Sequence, residues 1–253
     1  MQEDDAVSQK TLPDRIADQL IGRIFTGELA PGDRLPGERE LAQELGVDRT
    51  SLRMALRQLI RMNLVRAVRG SGITVLDYAE HAGIDLLAAV FANPELDLGA
   101  SFQLEALDQY ILAMAQATGI ALSRATPAQL MELDTLLLAQ VRALDRSAKL
   151  DELAELDVRL HDAITRLHGN TIARLLANST RPLRRRMVAL FYETIDVRTH
   201  IDTMRAQLRN QMAGSADPES ISRGLRAYLL ELTRPLRERI AQLHPEPRKR
   251  SPS

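Results

Sequence analysis

Pro31-Gly32-Asp33-Arg34-Leu35-Pro36-Gly37-Glu38-Arg39-Glu40-Leu41-Ala42 and, just beyond Leu45, Gly46-Val47-Asp48-Arg49-Thr50-Ser51-Leu52-Arg53-Met54-Ala55-Leu56-Arg57 decide the fold of the N-terminal part of this chain. Pro36 suits a helix start and Gly46 a helix stop, so one short helix is expected between them, with Leu41, Ala42 and Leu45 facing inward. A second helix follows at once. Asp48 is a good N-cap, because its carboxylate can accept from free backbone amides of the first turn, and the helix should run to about Asn63. Its expected core face is Leu52, Ala55, Leu56, Leu59 and Ile60. Arg49, Arg53, Arg57 and Arg61 recur every fourth residue, so each drifts only about 40° around the axis and together they form one cationic stripe. Such a stripe fits a major groove.

Charge supports the same partner. From Arg49 to Val75 there are six Arg and no acidic residue, whereas the whole chain carries a formal charge of -1. A polyanion should therefore meet the N-terminal end, with salt-dependent binding as its signature. A solvated helix face would carry the same charges, but turn, cap and the next segment agree on a DNA reader. In that segment Leu64-Val65-Arg66-Ala67-Val68 alternates at period two, Arg69-Gly70-Ser71-Gly72 is a tight turn, and Ile73-Thr74-Val75-Leu76 is rich in β-branched residues. A two-stranded hairpin with Arg69 at its tip is expected.

Composition bounds the rest. A length of 253 residues allows one or two domains, and 45% hydrophobic residues suffice for packed cores. With no cysteine there is neither a disulfide nor a thiolate metal site. No apolar run approaches the roughly 18 residues that cross a bilayer, and the acidic start Met1-Gln2-Glu3-Asp4-Asp5 is unlike a signal peptide. A cytoplasmic protein without a membrane partner is expected. Only 3% of residues are aromatic and there is no Trp, which argues against the stacking platforms of single-strand binders. The chain has no Gly-Lys-Ser/Thr phosphate loop, Gly-x-Ser-x-Gly elbow or His-Glu-x-x-His helix. Asp157 with His161 is an acid/base-like pair lacking a visible nucleophile, so neither an enzyme nor a cofactor is expected.

Beyond the hairpin the sequence carries helical periodicity punctuated by Gly and Pro. Helices are expected over 84–92, 99–123, 127–146, 149–168, 171–192, 197–213 and 218–243, with Thr126-Pro127 and Asp217-Pro218 as cap-plus-Pro starts. The expected fold is mainly α: a winged helix-turn-helix over 8–76 with a small β-hairpin wing, a linker at 77–83, and an antiparallel bundle of six or seven helices over 84–243. The tail 244–253, with Arg248-Lys249-Arg250, reads as disordered. Within the bundle, Leu153, Leu156, Leu160, Ile164 and Leu167 form an apolar stripe, with Asp157, His161 and His168 on one flank of it. In Arg181-Pro182-Leu183-Arg184-Arg185-Arg186 the proline should kink a helix, and three adjacent Arg cannot all face one way. Arg184 or Arg185 could turn inward toward an anionic ligand group, or the run could be a solvated face with dimer salt bridges.

From about Ala17 to Val75 the chain resembles the GntR family of bacterial transcription regulators, whose pattern pGdrLPsEReLA, then GVsRttvReAL, then a glycine wing is matched almost position by position. The resemblance places Arg34, Arg39, Arg49, Thr50, Ser51, Arg53, Arg69 and Gly70 on DNA-contacting positions. Arg49 and Arg53 would read bases, since a guanidinium pairs bidentately with guanine O6 and N7, while Thr50 and Ser51 would meet phosphate. Asp48 stands where the family usually has Ser or Thr, and Met54 where it usually has Glu.

The helical half is similar to the effector-binding and dimerisation bundle of the FadR subfamily, through Leu153-Ala154-Glu155-Leu156-Asp157-Val158-Arg159-Leu160-His161, Gly169-Asn170 and Leu175-Leu176. Many relatives hold a divalent metal through an Asp, a His four residues on, and two later His. Asp157 and His161 match the first pair and His200 is a possible third ligand, but Tyr228 stands about where the fourth would be. We expect Asp157 and His161 to be satisfied by hydrogen bonds instead. Ala79 to Leu87, Leu153 to Asn170 and Leu225 to Glu231 resemble the fatty-acid-responsive members, whose effector is a long-chain acyl-CoA lying among the helices. That resemblance adds Tyr228 and Leu232 to the candidate effector site of Asp157, His161, Arg184 and Arg185. Leu232 and Leu236 are apolar where the archetype has polar or aromatic groups. The expectation is a homodimeric repressor reading a palindromic double-stranded operator and responding to a fatty acyl-CoA. A carboxylate metabolite sensor, with or without metal, and a constitutive DNA binder are the alternatives.

Overall fold

A computed structural model describes residues 10–68, 70, 72–93, 96–214 and 217–243. Arg69 at the expected wing tip, and the tail expected to be disordered over 244–253, lie outside the described residues. The chain forms two compact units: one continues to Val90 and also takes in the stretch ending at Gly99, and the other holds the helices from Ala100 onward.

In the first unit, α1 spans Leu12–Phe25 and opens on a reciprocal cap between Thr11 and Asp14 with Pro13 in its first turn. Ile16, Ala17, Leu20, Ile21 and Ile24 form its buried face. Two shorter helices follow, α2 over Glu38–Glu44 and α3 over Arg49–Arg61. Gly46 takes φ 65° in the turn between them, a left-handed conformation that glycine adopts without a Cβ penalty. Leu41 and Ala42 of α2 and Leu52, Ala55, Leu56 and Leu59 of α3 are buried. Leu45 is half-buried and Ile60 is exposed, so the inner faces are narrower than the sequence pattern implied. The wing pairs β1, Val65–Val68, antiparallel with β2, Gly72–Val75, in the register Val65 to Val75. Arg34 bridges to Thr74 on the free edge of β2, so the loop ahead of α2 is stitched to the wing. Helices α4, Tyr78–His81, and α5, Ile84–Ala92, come next, and Tyr78 stacks on Phe25 at 4.6 Å. The expected linker at 77–83 thus contains a helical turn.

Among the described residues the regular elements of the second unit are all helices: α6 Gly99–Arg124, α7 Pro127–Asp145, α8 Leu150–His168, α9 Thr171–Ser179, α10 Arg181–Tyr192, α11 Val197–Ala213, α12 Pro218–Leu232 and α13 Arg234–Leu243. Two helices expected to be continuous are each broken once, at Thr180 and at Thr233. Pro182 and Pro235 explain both breaks, because a residue without an N–H suits a first helical turn and not a helix interior. Helix α8 is amphipathic and packs between α7 and α10. Leu153, Ala154, Leu160, Ala163 and Ile164 join Leu133, Leu137, Val188 and Ile201 in the main core, while Leu156 and Leu167 sit at its edge. A second cluster gathers Leu107, Ile111, Met187, Leu236 and Ile240. Gly119 allows α6 and α12 to touch, since a Cβ there would collide with the Pro218 carbonyl oxygen.

Candidate DNA reader and ligand cavity

The reader is assembled on α3. Asp48 caps it as the sequence implied: Oδ1 accepts from the Ser51 amide at 2.9 Å and Oδ2 from the Ser51 hydroxyl at 2.6 Å. Hydrogen bonds from Ser51 hold the Asp48 carboxyl below the usual carboxylate range. Arg49, Arg53, Arg57 and Arg61 are all exposed on one side of the helix, together with Thr50 and Met54. Ser51 is half-buried, and its hydroxyl proton is already given to Asp48, which leaves it an acceptor rather than a phosphate donor. Arg34, Arg39 and Gly70 are exposed as well.

Glu38, in the first turn of α2, was not among the expected site residues. Its Oε2 accepts from Arg53 Nε at 2.7 Å and stands 3.9 Å from Arg49 Nη2. Holding Arg53 by Nε leaves its two terminal nitrogens free to meet a base edge. The signal was the acidic residue before Arg39, within reach of a stripe that otherwise has no acid.

In the bundle a cavity of about 340 Å³ is lined mainly by Leu, Ile and Met from α6, α7, α8, α10, α11, α12 and α13. Its wall also carries Thr118, Gln140, Asp157, His161 and His200. Asn210, Gly214, Ser220 and Gly224 in the wall are exposed, which puts the mouth between the end of α11 and the start of α12.

Three of the chain's four tyrosines converge on the polar part of this wall. Tyr192 donates to Asp157 Oδ1 at 2.9 Å and lies 3.2 Å from Gln140 Oε1. The Tyr110 hydroxyl shares a 2.6 Å hydrogen bond with His161 Nδ1, which is 3.5 Å from Asp157 Oδ2. The Tyr228 hydroxyl meets His200 Nδ1 at 2.9 Å, with the two rings stacked 5.8 Å apart. Burial lowers the affinity of His161 and His200 for a proton, so both are neutral imidazoles at neutral pH despite the Asp157 charge nearby. Burial pushes the Tyr110, Tyr192 and Tyr228 phenols up, so they stay protonated.

The remaining candidates fall elsewhere. Arg184 turns inward, but its Nη2 donates to Asp162 Oδ1 at 2.8 Å and to the Ala177 carbonyl at 2.9 Å. Arg181 also pairs with Asp162 and with Glu155. Arg185 is exposed and Leu232 half-buried; neither they nor Arg184 and Tyr228 are part of the cavity wall, whereas Leu236 is. Tyr228 stands behind His200. The metal implied by resemblance does not fit these residues. Among the described residues no three His, Asp or Glu side chains gather as a metal would need, and the place of a further imidazole is taken by a protonated phenol, Tyr228.

A winged helix-turn-helix with an exposed arginine stripe defines a reader of double-stranded DNA, and the helical unit beside it in sequence supplies a ligand-sized cavity. Comparison with known proteins gives this class its family. Residues 12–75 match the family described as bacterial regulatory proteins, gntR family, and residues 114–229 match the FCD domain. The chain is 32% identical over 176 residues to the HTH-type transcriptional regulator Mce2R of Mycobacterium tuberculosis, covering 69% of this chain and 71% of that protein. It is 29% identical over 191 residues to the fatty acid metabolism regulator protein of Shewanella denitrificans, covering 74% of this chain and 75% of that one. A solved structure of Streptococcus agalactiae GntR aligns at 22% identity with a TM-score of 0.41, over 88% of this chain and 99% of that chain. The chain belongs to the gntR family of bacterial transcription regulators and carries its FCD effector domain. Members of this family are regulators and not enzymes. Among the described residues no helix is long and apolar enough to cross a membrane.

Proposed function

We propose that this protein is a cytoplasmic repressor that binds a palindromic operator as a homodimer and changes its DNA affinity when a fatty acyl effector, in the first instance an acyl-CoA, enters the bundle. Residues 8–76 act as the reader, 77–83 as the linker and 84–243 as the sensor and dimer-forming domain. The observation that carries this reading is the 340 Å³ cavity with its Leu, Ile and Met wall, of a size that takes a small molecule. The fatty acid metabolism regulator proteins among its relatives favour an acyl ligand over other apolar molecules. Two recognition helices per dimer read two half-sites, and the effector acts by binding one bundle conformation better than another. Arg49 and Arg53 read bases, and Arg34, Arg39, Thr50 and the wing at Arg69 and Gly70 fix the register on phosphate. A metal-assisted carboxylate sensor is disfavoured by Tyr228, and a constitutive binder by the cavity itself.

Native mass spectrometry of freshly purified protein tests the reading. A co-purified mass matching an acyl compound is expected in a dimer. Stoichiometric zinc or nickel in elemental analysis would overturn it in favour of the metal-assisted sensor.

A further inference from the structure

Met54 is the large apolar side chain that the arginine face of α3 leaves bare. It is 50% exposed, among outward neighbours that are otherwise Arg49, Thr50, Arg53, Arg57 and Arg61. At 100° per residue Met54 lies about 150° from the middle of the buried face formed by Leu52, Ala55, Leu56 and Leu59, whereas Arg53 lies about 110° from it. Met54 therefore points away from the core more squarely than Arg53 does. Ile60, the other exposed large apolar residue of α3, lies only about 90° from that middle, at the edge of the packed face, and more than one turn further along the helix.

A single exposed apolar side chain on a protein surface is ordinary, so place decides its meaning. Met54 shares a turn of α3 with Arg53 and stands one turn beyond Thr50. An α3 that enters a major groove far enough for Arg53 to meet a base edge carries Met54 in with it. Glu38 of α2 holds Arg53 by its Nε, so the arginine is drawn toward α2 while Met54 projects from the helix about 100° further round. The two side chains then meet different base pairs.

The groove offers a thioether one fitting group. Among the base edges there, the 5-methyl of thymine is apolar, whereas cytosine, adenine and guanine present amino or acceptor atoms. Methionine has no strong donor or acceptor to give those atoms, and covering them would remove water without replacing its hydrogen bonds. Against a methyl group it loses nothing, and its unbranched chain adapts to the exact position.

We propose that Met54 is a specificity-determining residue that selects thymine in each half-site by packing on its 5-methyl group, beside the base pair met by Arg53. The inference rests on α3 as the base reader and adds a base that the arginines do not favour.

Operator selected from random duplexes by the full-length protein, followed by fluorescence anisotropy, tests it. The selected half-site should contain a thymine that Met54→Ala no longer selects, while Met54→Leu keeps it. Exchanging that thymine for deoxyuridine removes only the methyl group. The exchange should weaken wild type by about fourfold per half-site, the worth of one buried methyl-sized group, and should leave Met54→Ala unaffected. A deoxyuridine operator bound as tightly as the original by wild type, or weakened equally in wild type and Met54→Ala, would overturn the proposal. Arg53→Ala in the same assay separates the two readings. If it relaxes base preference while deoxyuridine has no effect, α3 remains the reader and Met54 alone loses its role. If Arg49→Ala, Arg53→Ala and Met54→Ala all weaken operator and random DNA equally, α3 reads no bases and both readings fall.

Discussion

Glu38→Gln isolates the device that holds the reading arginines. In the free protein Glu38 keeps Arg53 through a 2.7 Å bond to Nε and attracts Arg49 from 3.9 Å. With side chains 34% and 55% exposed, the Glu38–Arg53 pair is strongly screened and is worth at most about 1 kcal/mol. DNA must either share Arg53 with Glu38 or detach it, so removing the charge should tighten binding to arbitrary duplexes, by up to about fivefold. The same change frees the guanidinium to adopt many orientations, which weakens bidentate reading of a base. Random-sequence affinity should therefore rise more than operator affinity, and the ratio between them should fall. The assay is fluorescence anisotropy on both duplexes at fixed salt, with the operator recovered by selection from random DNA. A ratio that stays constant or increases would refute the idea that Glu38 orders the readers.

Other outcomes follow from the same geometry. Arg49→Ala or Arg53→Ala should cost about 1 to 3 kcal/mol on operator and relax base preference, and equal losses on random DNA would remove their role as base readers. Tyr192→Phe leaves the buried Asp157 Oδ1 without its donor, so it should cost about 1 to 3 kcal/mol, or roughly 2 to 4 °C of Tm per kcal/mol. Tyr228→Phe, at a half-buried site, should cost less; the reverse order in thermal melts would contradict the placement of Tyr192. His161 and His200 titrate below the ordinary value of 6.5 when folded, so the unfolded chain binds more protons below that pH. Stability should fall as pH drops from about 6.5 toward the folded values, and His200→Gln should flatten that slope in melts between pH 5 and 7.5. Chelator treatment should leave Tm unchanged, whereas a marked drop would restore a metal to Asp157, His161 and His200.

The reader was legible because its signals are local. Asp48 caps α3, Gly46 turns the chain and β-branched residues form the wing, each decided by neighbours within a few positions. The breaks at Thr180 and Thr233 were also written locally, in Pro182 and Pro235, although a kink rather than a new helix was expected at the first. The polar wall of the cavity was only partly legible. Asp157, His161 and His200 stood out by residue type, but Tyr192 reaches Asp157 and Tyr110 reaches His161 from other helices, with Gln140 beside Tyr192, and helical periodicity cannot say which faces meet. Arg184 was one of two arginines that the sequence allowed to turn inward, with a solvated face as the alternative, and its partner Asp162 depends on how α8 and α10 pack. A single sequence also cannot show that Gln140 Nε2 and the Thr118 hydroxyl are buried without partners, since that is a property of the assembled core.

The most direct test of a ligand-gated reader is operator affinity of the full-length protein with and without fatty acyl-CoAs of several chain lengths, at one salt concentration. The account predicts a shift of about tenfold or more, since a ligand that prefers one state by ~1.4 kcal/mol moves the equilibrium by that factor. An affinity that stays unchanged across acyl-CoAs, esters, free acids and chelator would contradict it and leave a DNA binder that senses nothing.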